Sequence, residues 1–364
     1  VLDDSTDSTE ELCKILSGDF KGKGFDIEHL HRAGRVGFKA GALKEGLKTA
    51  KGEFIVIFDA DFIPQKDFLL KTMPHFEDPN VGLVQARWGH INRNYSYFTS
   101  VQAMILDNHF AIEQVARNAS GCFINFNGTA GVFRKKCIID AGNWEDDTLS
   151  EDIDISYRAQ LKKWKFVFLR DVVCPAELPV QINAFKSQQF RWASGTFQCA
   201  FKLLPGVMHS KLPIMTKFQS IMHLTSYLIY PLIFLWGVLS VPIILINKSY
   251  HPFLLLSHFT WIYMIAFWSP IILSVYSQME LHENPWQKLI ALPGALIVNF
   301  GVSLSNTAAI VKVLLRRKTP FVRTPKFMIE KRHDKWHNKL YKITFDKMVI
   351  FEFVMCVYCL LAIR

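Results

Sequence analysis

Up to about residue 205 the chain mixes apolar and charged residues, with short β-like runs alternating with stretches of helical period. The strand-like runs are 53–58 (EFIVIF), 81–85 and 166–169, and helical patterns cover 40–50, 98–115 and 152–163. This alternation predicts an α/β unit, a parallel or mixed sheet covered by helices. From Phe218 onward the pattern changes to long apolar runs at 219–246, 253–277, 289–315 and 348–363, each long enough to span a bilayer. The chain therefore divides into an α/β domain over 1–205, an interface helix and transmembrane helices over 206–315, a polar loop over 316–346 and a last transmembrane helix over 347–364. With the first domain in the cytosol, three full crossings would put the polar loop outside. One run is therefore expected not to cross simply, through an interfacial 307–315 or a break at Pro231. The chain opens on Val1-Leu2-Asp3-Asp4, which reads as the end of a strand, so a preceding N-terminal piece is expected.

The net charge of +10 is concentrated. Between Arg316 and Lys342 ten Lys/Arg face only Glu330 and Asp334, as in a cytosolic juxtamembrane loop, so nucleic acid is not the expected partner. Seven scattered cysteines, an odd number, suit a reducing compartment better than a disulfide framework. Cys356 and Cys359 have CxxC spacing inside an apolar run without His or acidic neighbours, so packing outweighs metal binding there.

Five segments carry candidate chemistry. Asp59-Ala60-Asp61 follows the EFIVIF run; two carboxylates at the end of a sheet strand suit a divalent cation shared with a diphosphate, or form a solvated acidic turn. Asp3-Asp4-Ser5 closes another strand end and could line the same crevice. The 31–43 segment, HRAGRVGFKAGAL, combines Gly34, Gly37 and Gly41 with Arg32, Arg35 and Lys39, suited to steadying phosphates or to a solvated turn. Ser150-Glu151-Asp152 begins a helix, with Ser150 a candidate cap. Its acids either complement the helix dipole or, if Asp152 is made basic by burial or carboxylate neighbours, supply a general base. Gln188-Gln189-Phe190-Arg191-Trp192 places Gln188, Arg191 and Trp192 on one helical face, able to grip a diphosphate and present a flat surface to a sugar, or to lie at a membrane interface.

Together these segments resemble the processive inverting family 2 glycosyltransferases of the cellulose synthase and mannan synthase (cellulose synthase-like) group. The matches, in family order, are Asp3-Asp4-Ser5, 37–43 (GFKAGAL), Asp59-Ala60-Asp61, 127–131 (NGTAG), Ser150-Glu151-Asp152 in place of Thr-Glu-Asp, QxxRW at 188–192 and 321–326 (FVRTPK). The resemblance implies a GT-A (nucleotide-diphospho-sugar transferase) domain beside a membrane channel, with Mg2+ or Mn2+ as cofactor. Asp3, Asp4, Lys39, Asp59, Gln188, Arg191, Thr324 and Lys326 would bind the donor, and Asp61 with Asp59 the metal. Asp152 would be the general base. Trp192, Asn127, Gly128 and Glu151 would meet the acceptor. The 321–326 stretch looks like a gating loop over the donor site, which agrees with a cytosolic basic loop. Implied partners are a nucleotide sugar (UDP-glucose or GDP-mannose), a growing polysaccharide and the lipid bilayer, with room for accessory secretion subunits. The implied location is a multi-pass protein of a bacterial inner membrane or a Golgi or plasma membrane.

Two other readings stand beside this one. Single-sugar transfer to a lipid carrier would not need QxxRW or the gating-like loop. A non-catalytic sugar-binding or transport protein would show a broken acidic set or charges within the apolar runs, whereas the acidic set is complete and 218–277 carries Lys248 alone among Asp, Glu, Lys and Arg.

Overall fold

The computed structural model describes residues 1–250, 260–317, 322–336 and 348–361. Phe321 of the gating-like stretch, much of the basic loop and the start of the 253–277 run lie outside the described residues, as does the side chain of Lys248.

A two-residue parallel pair, β1 (Leu2–Asp3) with β2 (Leu30–His31), brackets helix α1 (Thr9–Gly22). Helix α2 (Phe38–Thr49) leads to the main sheet of β3 (Phe54–Ile57), β4 (Val81–His90), β5 (Gly131–Arg134) and β6 (Lys165–Ala176). The spatial order is β3-β5-β4-β6. β5 runs antiparallel to both neighbours and β4 pairs parallel with β6, so the sheet is mixed. β4 is apolar on both faces because both are covered. Leu83 packs with Phe133 and Phe166 on one side, while its neighbour Val84 packs with Val132 and Val172 on the other.

Between strands lie α3 (Phe68–Thr72), α4 (Tyr97–Asp107), α5 (Gln114–Ala119), α6 (Lys135–Asp140) and α7 (Glu151–Leu161). The helical pattern expected over 98–115 is one continuous rod with an internal change of winding, since a π-helical segment at Asn108–Glu113 joins α4 to α5. Ser96 and Thr99 start it with a reciprocal capping box.

Helix α8 (Ile182–His209) runs along the boundary between the α/β domain and the apolar helices. Its Phe197, Leu203 and Val207 pack with Leu224 of α9 (Ile214–Leu224) and with Ile310 and Val313 of helix Ser303–Leu314. Among the described residues two helical stretches, Ser226–Ile246 and Pro285–Leu314, are long and apolar enough to cross a membrane, and helix Met348–Leu361 is a shorter apolar one. The first expected run is divided by a 3-10 turn at Ser226–Leu228 before α10 (Ile229–Tyr250), with Pro231 in the first turn of that helix. The third bends at Val302 between helices Leu292–Gly301 and Ser303–Leu314.

Residues 322–336 cross back over the α/β domain. Glu177, just beyond β6, accepts the backbone N–H groups of Phe327 (3.0 Å) and Met328 (3.0 Å), and Arg332 donates to the Asn94 carbonyl (3.0 Å).

Candidate functional site

One cavity of about 860 Å³ opens at the carboxyl ends of β1 and β3 and is roofed by α8 and the 322–326 segment. Its wall carries Asp4, Lys39, Asp59, Asp61, Gly128 and Asp152, with Asn127, Glu151, Gln188, Arg191, Trp192, Thr324 and Lys326. These groups come from segments as distant as residues 4 and 326, and chain folding alone assembles them.

Asp59 and Asp61 are not strand residues. β3 ends at Ile57, and the pair sits in a turn closed by Phe62 N–H donating to the Asp59 carbonyl (3.0 Å). The Thr129 hydroxyl accepts the Asp59 N–H (2.9 Å), which fixes the turn so that both carboxylates still face the cavity. Each meets an ammonium. Lys39 Nζ pairs with Asp59 and donates to the Gly128 carbonyl (2.8 Å), while Lys326 Nζ lies 2.8 Å from Asp61 Oδ2 and donates to the Glu177 carbonyl. The Lys326 ammonium is a cation held against a hard-oxygen ligand, so this carboxylate pair fits the charge and the donor type of a divalent metal site.

Asp4 is gripped through both oxygens by Arg32, whose fork also reaches the Val36 and Phe38 carbonyls. The Gly-rich loop thus both fixes Asp4 and lines the wall itself through Arg35, Phe38 and Lys39, and Gly37 adopts the left-handed conformation that opens α2. Asp3 does not reach the cavity. Its carboxylate accepts from Ser5 N–H (2.8 Å) and lies 3.2 Å from His29 Nε2.

Asp152 lies in the first turn of α7. Ser150 is the N-cap residue, but its hydroxyl makes no capping hydrogen bond, contrary to the sequence expectation, because it packs against α8 at Gly195. Burial beside Glu151 pushes the Asp152 carboxyl up to about 7, against the Ile153 N–H (2.8 Å) and Lys39, which favour its charged form. Burial raises the Glu151 carboxyl as well, opposed by Lys39 and Arg191. A carboxylate that changes charge near neutrality, inside a cavity lined by cations, is suited to take a proton from an incoming hydroxyl.

Gln188, Arg191 and Trp192 do share one face of α8 and all line the cavity. Burial lowers the Arg191 guanidinium's proton affinity, and Glu151, Asp152 and Asp59 counter it. Asn127 accepts from the Asn125 (2.8 Å) and Gln114 (3.1 Å) side chains, which turn its amide toward the site.

Behind Asp152 and Trp192 a second cavity of about 340 Å³ shares Trp88, Asn127, Ser150, Asp152, Gln188 and Trp192 with the first and continues toward α10. Its lining mixes aromatic rings, among them Phe110, Phe185, Tyr227 and Tyr230, with polar groups such as His109, Glu113 and Gln189, and Asp152 stands where the two chambers meet.

Three contributors escape the sequence reading. Trp88 lies 6.4 Å from Trp192 between ring centroids and lines both cavities; β4 runs on beyond the expected 81–85 to His90, and the extra residues of the register shift after Ala86 are carried by β6. Glu177 anchors the 327–328 backbone, and the only signal was an acid at a strand end. Gly195 lets α8 approach α7: a Cβ there would stand 2.9 Å from Ser150 Cβ and 2.9 Å from Ser150 N. Gly195→Ala is therefore expected to cost about 1–3 kcal/mol of stability and to lower turnover by moving Asp152 relative to Arg191. Denaturation and steady-state kinetics on one preparation check this, and wild-type values in both would show that the close approach is unimportant.

A family model described as "Glycosyl transferase family group 2" matches residues 54–271. Probable glucomannan 4-beta-mannosyltransferase 7 of Oryza sativa subsp. japonica is 45% identical over 224 residues, 60% of this chain and 38% of that protein. Glucomannan 4-beta-mannosyltransferase 2 of Arabidopsis thaliana is 43% identical over 216 residues, 58% of this chain and 40% of its own length. The chain thus spans about two-fifths of the curated relatives it matches. Among solved structures, mannosyltransferase PcManGT from Pyrobaculum calidifontis in complex with GDP-Man and Mn2+ is similar with a TM-score of 0.49 at 19% identity, covering 86% of this chain and 76% of that one. The family match takes in the Asp59–Asp61 turn, the whole main sheet, Asp152 and the QxxRW helix, so the α/β unit is a GT-A-like glycosyltransferase fold. With more than half of its length in that match, this protein belongs to the group 2 family of glycosyl transferases.

Proposed function

We propose that this protein is a membrane-embedded inverting glycosyltransferase that moves hexosyl units from a nucleotide sugar to the non-reducing end of a growing β-glycan, with secretion coupled to extension. The observation that carries the reading is the junction of the two cavities. Charged groups suited to a nucleoside diphosphate line one chamber, aromatic rings interleaved with hydrogen-bonding side chains suited to sugar faces and hydroxyls line the other, and Asp152 with Trp192 stands between them. The names of the plant relatives favour mannose as the transferred sugar, hence GDP-mannose ahead of UDP-glucose.

In this reading Asp4 and the 31–43 loop hold the nucleoside end, and Gln188 and Arg191 hold the diphosphate. Asp59 and Asp61 would hold Mg2+ or Mn2+, and the bound cation would neutralise charge on the departing diphosphate. Asp152 removes the proton from the acceptor hydroxyl as that oxygen attacks the anomeric carbon from the face opposite the diphosphate, so configuration inverts. Trp192 and Trp88 support the terminal acceptor sugar, and Glu151 and Asn127 accept or donate hydrogen bonds at its rim. Thr324 and Lys326 close over the phosphates.

Membranes containing the full chain, given labelled GDP-mannose or UDP-glucose separately with Mn2+ or Mg2+, should convert one donor into a polymer whose linkage analysis returns a β-linked hexosan. Label confined to a short lipid-extractable product would favour single-sugar transfer, and no incorporation from either donor would remove the reading.

Lys326 gives a second prediction. Because its ammonium is set against Asp61, Lys326→Gln should raise the donor-free affinity for Mn2+ by roughly tenfold, the effect of one lost close charge of about 1.4 kcal/mol, while weakening donor binding. Electron paramagnetic resonance of free Mn2+ reads the first and nucleotide titration the second. Unchanged Mn2+ affinity would mean that Lys326 does not guard the carboxylate.

A further inference from the structure

We propose that Asp3, Cys13, His29 and His31 form a binding site for a zinc-class divalent cation, distinct from the Asp59–Asp61 pair, that staples the β1–β2 strands to helix α1. One carboxylate oxygen of Asp3, the Cys13 thiol and a ring nitrogen of His29 lie within 4.8 Å of one another. His31 Nδ1 adds a fourth ligand atom 3.4 Å from the same Asp3 oxygen, Oδ2, that His29 Nε2 approaches at 3.2 Å. Ligands of a tetrahedral zinc ion stand roughly 3.3–3.8 Å apart, so Asp3, Cys13 and His29 need draw together by on the order of an ångström, and His31, already beside Asp3, would swing in farther to complete the sphere. A mixed sulfur, nitrogen and oxygen set of this kind selects zinc or cobalt over the hard Mg2+ and Mn2+ that suit Asp59 and Asp61.

The surroundings match what a metal site needs behind its ligands. Ser5 N–H donates to the other Asp3 oxygen, Oδ1 (2.8 Å), which leaves Oδ2 directed at the imidazoles. Glu10 Oε2 lies 3.6 Å from His31 Nε2, so a carboxylate backs the ring nitrogen opposite the proposed ligand atom. The ligands come from β1 (Asp3), α1 (Cys13), the residue before β2 (His29) and β2 itself (His31), and two residue pairs of strand register join β1 to β2. A short parallel pair gains little from its own hydrogen bonds, and a shared cation would supply the missing cross-link. The contrasting acidic group, Glu145, Asp147 and Asp154, already surrounds the Lys202 ammonium at 2.5, 2.6 and 2.9 Å and needs no metal.

The site lies beside the donor cavity. Asp3 ends β1 and faces His29 and His31, while Asp4, the next residue, lines the cavity, so the ligand of the staple and a cavity wall residue share one peptide.

The test uses the full chain in detergent, reduced and stripped with chelator, and titrated with Co2+. The expected result is stoichiometric binding with a thiolate-to-cobalt charge-transfer band and strong visible bands of tetrahedral cobalt, displaced by Zn2+ and not by Mn2+. Cys13→Ser should abolish the charge-transfer band and His29→Gln should weaken binding by more than the roughly 10–100-fold lost with a group that only supports a ligand, each with Mn2+ binding retained as evidence of an intact fold. No thiolate band in folded, reduced wild-type protein would overturn the proposal. So would a band that survives Cys13→Ser, since it would belong to another thiol such as Cys356. None of these readouts depends on sugar transfer, so they stand or fall separately from the proposed activity.

Discussion

Asp152→Asn is expected to lower glycosyl transfer by about 10²–10⁴-fold, the range a positioned general base contributes, while donor binding stays within a few-fold of wild type. The substitution keeps the side chain's size and its acceptor for the Ile153 N–H, 2.8 Å away, and removes only the capacity to take a proton. It also relieves the repulsion with Glu151 that helps burial hold the carboxyl near 7, so thermal stability should be unchanged or higher. That combination separates a chemical defect from a folding one. Nucleotide-release kinetics, donor titration and a melting curve on the same protein provide the measurement. Turnover within a few-fold of wild type would remove Asp152 from the base role, whatever the stability.

The sign of the pH dependence follows from the same group. A base acts when deprotonated, so with its carboxyl pushed up to about 7, kcat/KM should rise with pH through neutrality and level off above it. Asp152→Asn should erase that limb. Glu151 is raised by the same burial, so the limb reports the acidic pair rather than one isolated residue.

How much of this was legible in the sequence differs from residue to residue. Three strands of the sheet and the shared face of Gln188, Arg191 and Trp192 follow from periodicity and spacing, because each is a local pattern, whereas β5 is too short to stand out and the Asp59–Asp61 pair, read as strand residues, lies in a turn fixed by Thr129 seventy residues on. The basicity of Asp152 is not local. It depends on α8 lying so close to α7 that only Gly195 fits, and on Glu151 being sealed in the same chamber. Asp3 is turned from the cavity by His29 and His31, partners 26 and 28 residues on that no pattern around Asp3 encodes. The role of Glu177 was hidden for the same reason. It receives backbone N–H groups from Phe327 and Met328, about 150 residues later, and no pattern within β6 encodes that partner.

Arg191→Ala should be the second large loss, about 10²–10³-fold in turnover, comparable with removing one preorganised donor from a site of developing negative charge. Arg191 is the cation on the α8 face, where its guanidinium is surrounded by Glu151, Asp152 and Asp59 in the donor cavity. Those carboxylates keep it charged against burial, and it in turn favours their charged forms. Its removal should therefore have two separable effects. The diphosphate loses a bidentate partner, which lowers turnover at every pH, and the acidic pair holds its protons more tightly, which moves the ascending limb of kcat/KM to higher pH. Arg191→Lys restores the charge without the planar fork, so it should return the limb toward its wild-type position while leaving most of the turnover loss. A pH profile that does not move in Arg191→Ala would show that the guanidinium and the base are not electrostatically coupled, and the two helices would then need separate accounts.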